Sequence, residues 1–569
     1  MFSNNREIIN RIETLENRLL AELTHQKSQQ HFKSIKQEDV LPLAKYNKTT
    51  LKYSKLALEN TIVPFPGFDP IKFDDQFDWS YIHNKNHVSY QLYLQSLRIV
   101  GQLLAAYDKF DEKKYLLKAK EITESWMAFV ESGKSTDMTW YDHPVGNRTQ
   151  ILVHLLYSLN KEKIQVNFDR YFKLLYKHAE YLMDDSNYRK NNHGIMVDRG
   201  LMMLGFVMDD ELLFNKGFYR VVDTFWQSFS YKGGHLENSP EYHNMVLKMY
   251  FGIEEYLNAH EKSLGNDVVK HMETADNYLN ILLKPNRRLP AIGDSGHTSL
   301  PERTPIYMNF VDEEAGIAVI KQNLNKKVYM SFVCGYSTIT HKHSDDLSIT
   351  LSINGVDFIE DGAKFDYSKS PIRRYIVTPR AHSSLQLENK FYQKDTDNKY
   401  TQKIWIEKYF DHNDYFIVKG KNNGFNDGTT LYRTIIFLKE YEMFFVINEG
   451  HSEQQHTFIE NYNLHHEVAI DTIDSSQFVL TRNDEKVYVT TYNNVSSEIL
   501  EGNKDPIQAI NATGPSKYNL TKHLQFKEKG NNTSTVTILS SNDKKISSLE
   551  LTKDFLNINV DQKTILIPR

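Results

Sequence analysis

The hydrophobic pattern of this chain changes period once, and that change constrains the fold more than any single motif. From about residue 89 to 284, apolar residues recur at helical spacing in eight stretches, from YQLYLQSLRIVGQLLAAY to DVVKHMETADNYLNILL. Residues three and four apart share one face of a helix, so each stretch reads as an amphipathic helix. After Leu300-Pro301 the texture becomes short β-rich runs such as GIAVIKQ, KVYMSFVC, LSITLSI and LYRTIIFL, punctuated by Asn, Asp and Gly. These read as antiparallel strands of a sandwich. The expectation is an α+β multidomain chain in which helix pairs bury their stripes as a solenoid or a closed toroid, followed by an antiparallel β-sandwich. The expected division is an N-terminal helical extension at 1–75, a helical domain at 76–302 and a sandwich at 303–569, with a cleft between the last two as the default ligand site.

With 569 residues, 40% hydrophobic and 25% charged, the chain has material for two to four soluble domains. Its 68 Lys and Arg against 73 acids, a net charge of −5, advertise neither nucleic acid nor an anionic membrane as partner. Cys334 is the single cysteine and excludes an internal disulfide. Near the start, Ile8, Ile9, Ile12, Leu15, Leu19 and Leu20 form a helical stripe among charges, with no basic segment and apolar run of a secretory signal. No window approaches the roughly 18 apolar residues of a membrane span. The expected location is cytoplasmic, or secreted if a leader has been removed or export is non-classical.

Four segments concentrate unusual polar residues. TWYDHPVGNRTQ, read as lying just before a helix, holds Trp140, an aromatic face for a sugar, and Arg148, a guanidinium for a carboxylate; the plain alternative is a solvated loop. RKNNHGIMVDRG places Asn191, Asn192 and His193 ahead of an apolar helix, where one Asn is expected as an N-cap. GGHLENSPEYHNMV starts a helix at Ser239-Pro240 with Tyr242 in its first turn. The fourth runs from ITHKHSDDLS through Asp361-Gly362 to Ala381-His382. His341 and His343 are two apart and on a strand would point to one face, and Asn354-Gly355 is a hairpin signal that brings Asp361 onto an adjoining strand. His382 follows 21 residues later. Imidazoles and a carboxylate are ordinary zinc ligands. Tyr367, Arg373, Arg374, Tyr375 and Arg380 lie between Asp361 and His382 and supply phenols and guanidiniums.

As a set, Asn, His, Tyr and Arg suit β-elimination from a uronic acid better than hydrolysis, which needs two carboxylates flanking the bond. Elimination needs a group that neutralises the C6 carboxylate, a base for the C5 proton and an acid for the departing O4.

The motifs N-N-H-G, S-P-x-Y ending at Tyr242, P-A-I-G-D-S from Pro290 to Ser295, and H-x-H-x-D-x-L-S followed by D-G and A-H-S-S resemble the heparinase II/III family of polysaccharide lyases, which includes alginate and oligo-alginate lyases. The resemblance implies an α/α toroid followed by an antiparallel β-sandwich. It implies that Asn192 and His193 bind or neutralise the uronate carboxylate, with His193 a candidate base for one epimer, that Tyr242 is the general acid and often the base, and that His341 and Tyr367 assist. Arg148, Trp140, Tyr375 and Arg374 become candidate substrate ligands. His343, Asp361 and His382 would hold one divalent metal, zinc, in a mainly structural role. Met196 and Asn244 stand where some relatives carry Glu and Arg, which bears on the substrate more than on the reaction. The expected partner is an acidic polysaccharide or oligosaccharide, with glycosaminoglycans and alginate in view and homodimerisation left open. Sulfated-glycan specificity finds no support in the net charge. A uronyl C5-epimerase, and a non-catalytic glycan-binding or exopolysaccharide-biosynthesis protein, are the alternatives.

Overall fold

The computed structural model describes residues 32–83, 87–492, 495–544, 546–552, 554–561 and 563–568. The helical stripe expected between Ile8 and Leu20 lies outside the described residues. Nine helices, rather than eight, run between His87 and Leu282 among the described residues. The first apolar stripe is two helices, His87–Gln95 and Arg98–Phe110, parted at Leu97, whose φ of 55° is left-handed. Apolar periodicity is blind to a one-residue kink whose side chain stays in the core. The last of the nine ends at Leu282 and the first strand of the main β region begins at Asn309.

Packing divides the chain into two compact units: the described residues up to Gln227 with Met249–Val269, and Ser228–Lys248 with the chain from Lys270 onward. In the helical unit, Trp126, Leu103, Leu152, Leu155 and Leu201 are among the fully buried residues. The Asp142–Lys161 helix has 17 of its 20 residues buried, which makes it an inner helix. It begins earlier than expected, so His143, Asn147 and Arg148 lie on the helix and not in a loop before it. Its closest approach is to the Asn192–Val207 helix: a Cβ on Gly146 would stand 2.7 Å from the Met196 carbonyl oxygen, and one on Gly200 would stand 3.3 Å from that of Gly146. Two glycines let the backbones meet.

The second unit holds a five-stranded antiparallel meander of Asn309–Asp312, Ile317–Asn323, Lys327–Val333, Ser348–Ile353 and Val356–Ile359. A ten-stranded antiparallel sheet is centred on two long strands, Met443–Asn463 and Lys522–Ser540. Alternate side chains of the meander (Met330, Phe332, Ile349, Leu351) and of the large sheet (Phe416, Val418, Ile435, Phe437, Val446) share one core, the interior of a sandwich. A three-stranded sheet from Ile546 to Pro568 covers part of the other face. The Asn354-Gly355 pair turns the expected hairpin, both residues with positive φ as a two-residue turn of this hand requires. No described helix is long and apolar enough to cross a membrane.

Gly146→Ala should be overpacked against backbone that cannot yield cheaply. The expected cost is about 1–3 kcal/mol, read as a lower melting temperature in a thermal denaturation followed by circular dichroism at a helix band.

Candidate active site

In the helical unit, the N-N-H-G segment opens the Asn192–Val207 helix. Asn191 is the cap, its side-chain oxygen accepting from the N–H of His193 (2.9 Å) and Gly194 (3.4 Å). Asn192 is therefore the first helical residue, half-buried, with its amide free of the capping role. Gly194 is required because a Cβ there would strike the Arg189 carbonyl. His193 meets Asp142 through Nδ1, 3.0 Å from Oδ1, and the same oxygen accepts the His143 N–H at 2.6 Å. A carboxylate on Nδ1 places the proton there and leaves Nε2 as the exposed basic nitrogen. Burial pushes the Asp142 carboxyl up, but the His193 bond and charge outweigh it and the carboxyl sits below its ordinary range. Beside this pair, His143 is carried by burial down to about 3, and so is neutral. Asn147 lies 3.2 Å from His143 Nε2 and accepts from Arg199 at 3.2 Å.

Two expected substrate ligands of this unit are otherwise engaged. Arg148 is fully buried: it donates to His178 Nε2 (2.9 Å), the Gln95 carbonyl (2.6 Å) and the Thr139 carbonyl (2.9 Å), and lies over the Trp126 ring. It ties the helix to its neighbours and is corrected from ligand to structural residue. The physical reason is helix phase, since a helix starting at Asp142 turns Arg148 inward. Trp140 is half-buried against the core, with the Lys177 ammonium 4.3 Å from its ring centroid and the edge of His178 beside it.

In the second unit, Tyr242, His341 and Tyr367 come together. The Tyr242 and Tyr367 hydroxyls are 2.9 Å apart, and the Tyr242 ring stacks on His341 with centroids 3.6 Å apart. Tyr242 stands in the first turn of the Pro240–Ala259 helix, where Ser239 Oγ accepts its N–H and itself contacts Ser295 Oγ and the Asp294 carbonyl. Burial pushes the Tyr242 phenol up to about 12, and burial with the nearby Asp294 charge raises Tyr367 further, so both stay neutral at ordinary pH. His341 Nδ1 lies 3.2 Å from Glu237 Oε2. Glu241 holds Lys364 (2.5 Å) and the Gly296 N–H, and Lys364 lies over the Tyr242 ring. Every carboxylate of this cluster is thus paired with a base or an N–H.

The His-x-His segment is not a strand, and its residues do not share a strand face. His341 has φ of 57°, and Lys342 between the histidines is buried with its ammonium between Asp345 (2.5 Å) and Asp346 (3.1 Å). Pairs three and four residues apart cannot form along an extended strand, and the segment here is a turn. Asp361 follows the end of the Val356–Ile359 strand and His382 follows a 3₁₀ turn, Pro379–Ala381. Even so, His343, Asp361 and His382 converge, all buried, with ligand atoms within 4.8 Å of one another. Each keeps a buried atom with no hydrogen-bond partner among the described residues: His343 Nδ1, Asp361 Oδ1 and His382 Nε2. Their other atoms are used, His382 Nδ1 on Asp361 Oδ2 at 3.0 Å and His343 Nε2 on Asp294 Oδ1 at 2.9 Å. Buried polar atoms are rarely left unpaired, and an orienting carboxylate behind a ligating imidazole is usual at metal sites, so the donor set fits a metal ion.

Asp294 also takes Arg373 in a two-pronged pair at 2.5 and 3.1 Å, and Arg373 lies over the Tyr367 ring. Burial raises the Asp294 carboxyl, but His343 and Arg373 together hold it well below the usual carboxylate range. Tyr375 and Arg374 do not join the cluster. The Tyr375 hydroxyl is buried, donating to the Arg380 carbonyl and accepting from the Ala509 N–H, which corrects its expected role at the substrate. Arg374 is exposed and donates to the Lys369 carbonyl. Sequence reasoning passed over Asp142, Glu237, Asp294 and Arg199, all inside quoted motifs. A carboxylate or guanidinium acquires its partner only through the fold, and no spacing rule marks it.

The heparinase II/III N-terminus family matches residues 9–313, and the heparinase II/III-like C-terminal family matches residues 310–548. No curated protein matches the sequence. Among solved structures, heparinase III superposes with a TM-score of 0.76 at 16% identity, covering 93% of this chain and 92% of that one. Heparan sulfate lyase HepC from Pedobacter heparinus gives 0.68 at 17%, covering 97% and 94%. Chondroitin AC lyase from Streptomyces coelicolor, in complex with chondroitin sulphate, gives 0.55 at 9%, covering 91% and 84%. At these identities the likeness is one of fold. With both family domains matched along its length, the chain belongs to the heparinase II/III family, an α/α toroid followed by an antiparallel β-sandwich.

Proposed function

We propose that the protein is a polysaccharide lyase that cleaves uronic-acid-containing glycans by β-elimination. The observation that carries this reading is Tyr242, a phenol kept neutral by its surroundings, stacked on His341 and bonded to Tyr367. A neutral phenol is equipped to donate its proton to a departing O4. The described carboxylates of this cluster, Glu237, Glu241 and Asp294, are each paired with a base or an N–H and do not supply the free acid a glycosidase needs.

In the reaction, a base takes the C5 proton, the C5–H electrons form the C4=C5 double bond, the C4–O4 bond breaks, and O4 leaves with the proton of Tyr242. His193, its Nδ1 fixed by Asp142, is assigned as a base through Nε2. Asn192 hydrogen-bonds the C6 carboxylate as negative charge builds on it, which is transition-state electrostatics. His341, with Glu237 at its Nδ1, and Tyr367 assist proton movement at Tyr242. His343, Asp361 and His382 would hold one divalent ion, and two imidazoles with a carboxylate favour zinc. Bound there, zinc would supply a cross-link among three loop segments and no bond-making step.

An absorbance screen for the 4,5-unsaturated product against hyaluronan, heparosan, alginate and polyglucuronate tests the reaction; absence of product from all of them sinks it. Tyr242→Phe should lower kcat by about 10²–10⁴ with KM little changed. His343→Ala should lose bound metal by elemental mass spectrometry and melt at a lower temperature. His341→Ala should keep the metal and lose turnover, and equal metal loss in both variants would refute the division of roles.

A further inference from the structure

Two half-buried arginines of the helical unit, Arg98 and Arg199, have neither a counter-ion nor a full set of hydrogen-bond acceptors among the described residues. Arg98 opens the Arg98–Phe110 helix and lies over Phe65 (4.9 Å) and Tyr93 (5.5 Å), whose rings stack on each other at 4.1 Å. Its guanidinium has stacking partners but no hydrogen bond or ion pair among the described residues. Arg199 makes one bond, to Asn147 Oδ1, and its Nε is buried without a partner among the described residues. The unit's other described arginines are served or solvated: Arg170 grips Glu131 with two bonds, Arg220 holds Asp185, Arg148 is satisfied by two carbonyls and a histidine, and Arg189 is exposed and donates to the Tyr141 hydroxyl.

Both cations bear on His143. Its ring is bonded to Asn147, Asn147 is bonded to Arg199, and Tyr93, beneath Arg98, lies edge-on to His143 at 6.3 Å. Burial chiefly holds His143 neutral, and the Arg98 and Arg199 charges act in the same direction. Burial pulls Arg199 down to about 10, still protonated at neutral pH. A guanidinium keeps its charge when desolvated, so removing it from water is unfavourable unless its N–H groups meet acceptors, as those of Arg148 meet carbonyls, or an anion; Arg98 and Arg199 lack such a set among the described residues. Arg199 is seven residues after Asn192, on the same helix face and about 10 Å further along the axis. With Asn192 assigned to the carboxylate of the sugar being cleaved, Arg199 is left to take a further anion.

We propose that Arg98 and Arg199 form an anion subsite of the helical unit, which takes a carboxylate or sulfate group on the bound glycan other than the carboxylate of the sugar being cleaved. Planar guanidiniums match both oxyanions with paired N–H donors. The identification of the ligand as a glycan rests on the lyase reading; the unpaired cations do not.

The test is calorimetric binding in a Tyr242→Phe background, where no turnover intervenes. Three ligands are compared: a polyglucuronate oligosaccharide, its sulfated derivative and its carboxyl-reduced, neutral form. Arg98→Gln and Arg199→Gln should each weaken binding of an anionic form at least tenfold, leave the weak binding of the neutral form unchanged, and melt like the parent. Arg199→Lys should recover part of the loss. A loss seen on polyglucuronate assigns the carboxylate, and a loss confined to the sulfated form assigns the sulfate. Equal losses for neutral and anionic forms, losses below twofold for both anionic forms, or no binding of either anionic form by the parent would each overturn the subsite. If Arg199→Gln does not fold, Arg98→Gln at its half-buried position decides alone. Binding that depends on the arginines, with no unsaturated product from the wild type on any uronate, would retain the subsite while refuting the lyase.

Discussion

Asp294 is the point on which the second unit's candidate site depends. One carboxylate orients His343 through Nε2 and pairs with both nitrogens of Arg373, which in turn covers Tyr367. Its backbone N–H donates to the His341 carbonyl, and its carbonyl accepts from Ser239, the residue that caps the helix of Tyr242. The metal-type cluster and the phenol–imidazole stack are thereby joined by one residue. Next to it, Gly293 has φ of 54° and a Cβ would collide with the carbonyls of Asn238 and His341. The backbone can reach all these partners only because that position is glycine.

Carboxylates behind imidazoles recur across both units. Asp142 stands at Nδ1 of His193, Glu237 at Nδ1 of His341, and Asp294 at Nε2 of His343. The consequence differs with the atom left over. His193, with Nδ1 bonded to Asp142, keeps Nε2 for proton chemistry, whereas His343 keeps a buried Nδ1 suited to a ligand bond. The same pairing of residue types thus serves either purpose, and burial decides which. Tyr242 completes the logic from the other side, since low polarity around its hydroxyl retains the proton that an elimination must deliver.

Much of the candidate site was legible in the motifs, and the misreadings have definite causes. Asn-Asn-His-Gly announced a helix start, yet which Asn caps, and so which is spared, depends on backbone dihedrals that spacing does not encode. The His-x-His pair read as a strand because alternation is a strand signal. The buried Lys342 between two aspartates bends it into a turn, and the three ligands meet from loops instead. Arg148 was expected at the substrate, whereas nothing in the sequence singled out Arg199. Helix phase sent one into a cage of carbonyls and left the other without an anion.

By itself, the sequence determined the succession of helices and strands, the Asn354-Gly355 hairpin, and the residue types available for acid, base and metal chemistry, because periodicity and turn chemistry are local. Tertiary structure alone decided which of those residues have partners. Asp142 and His193 are 51 residues apart, and Asp294 and Arg373 are 79 apart. Orientation, charge state and unpaired atoms are properties of such contacts, and burial, which sets their strength, does not exist until the chain is folded.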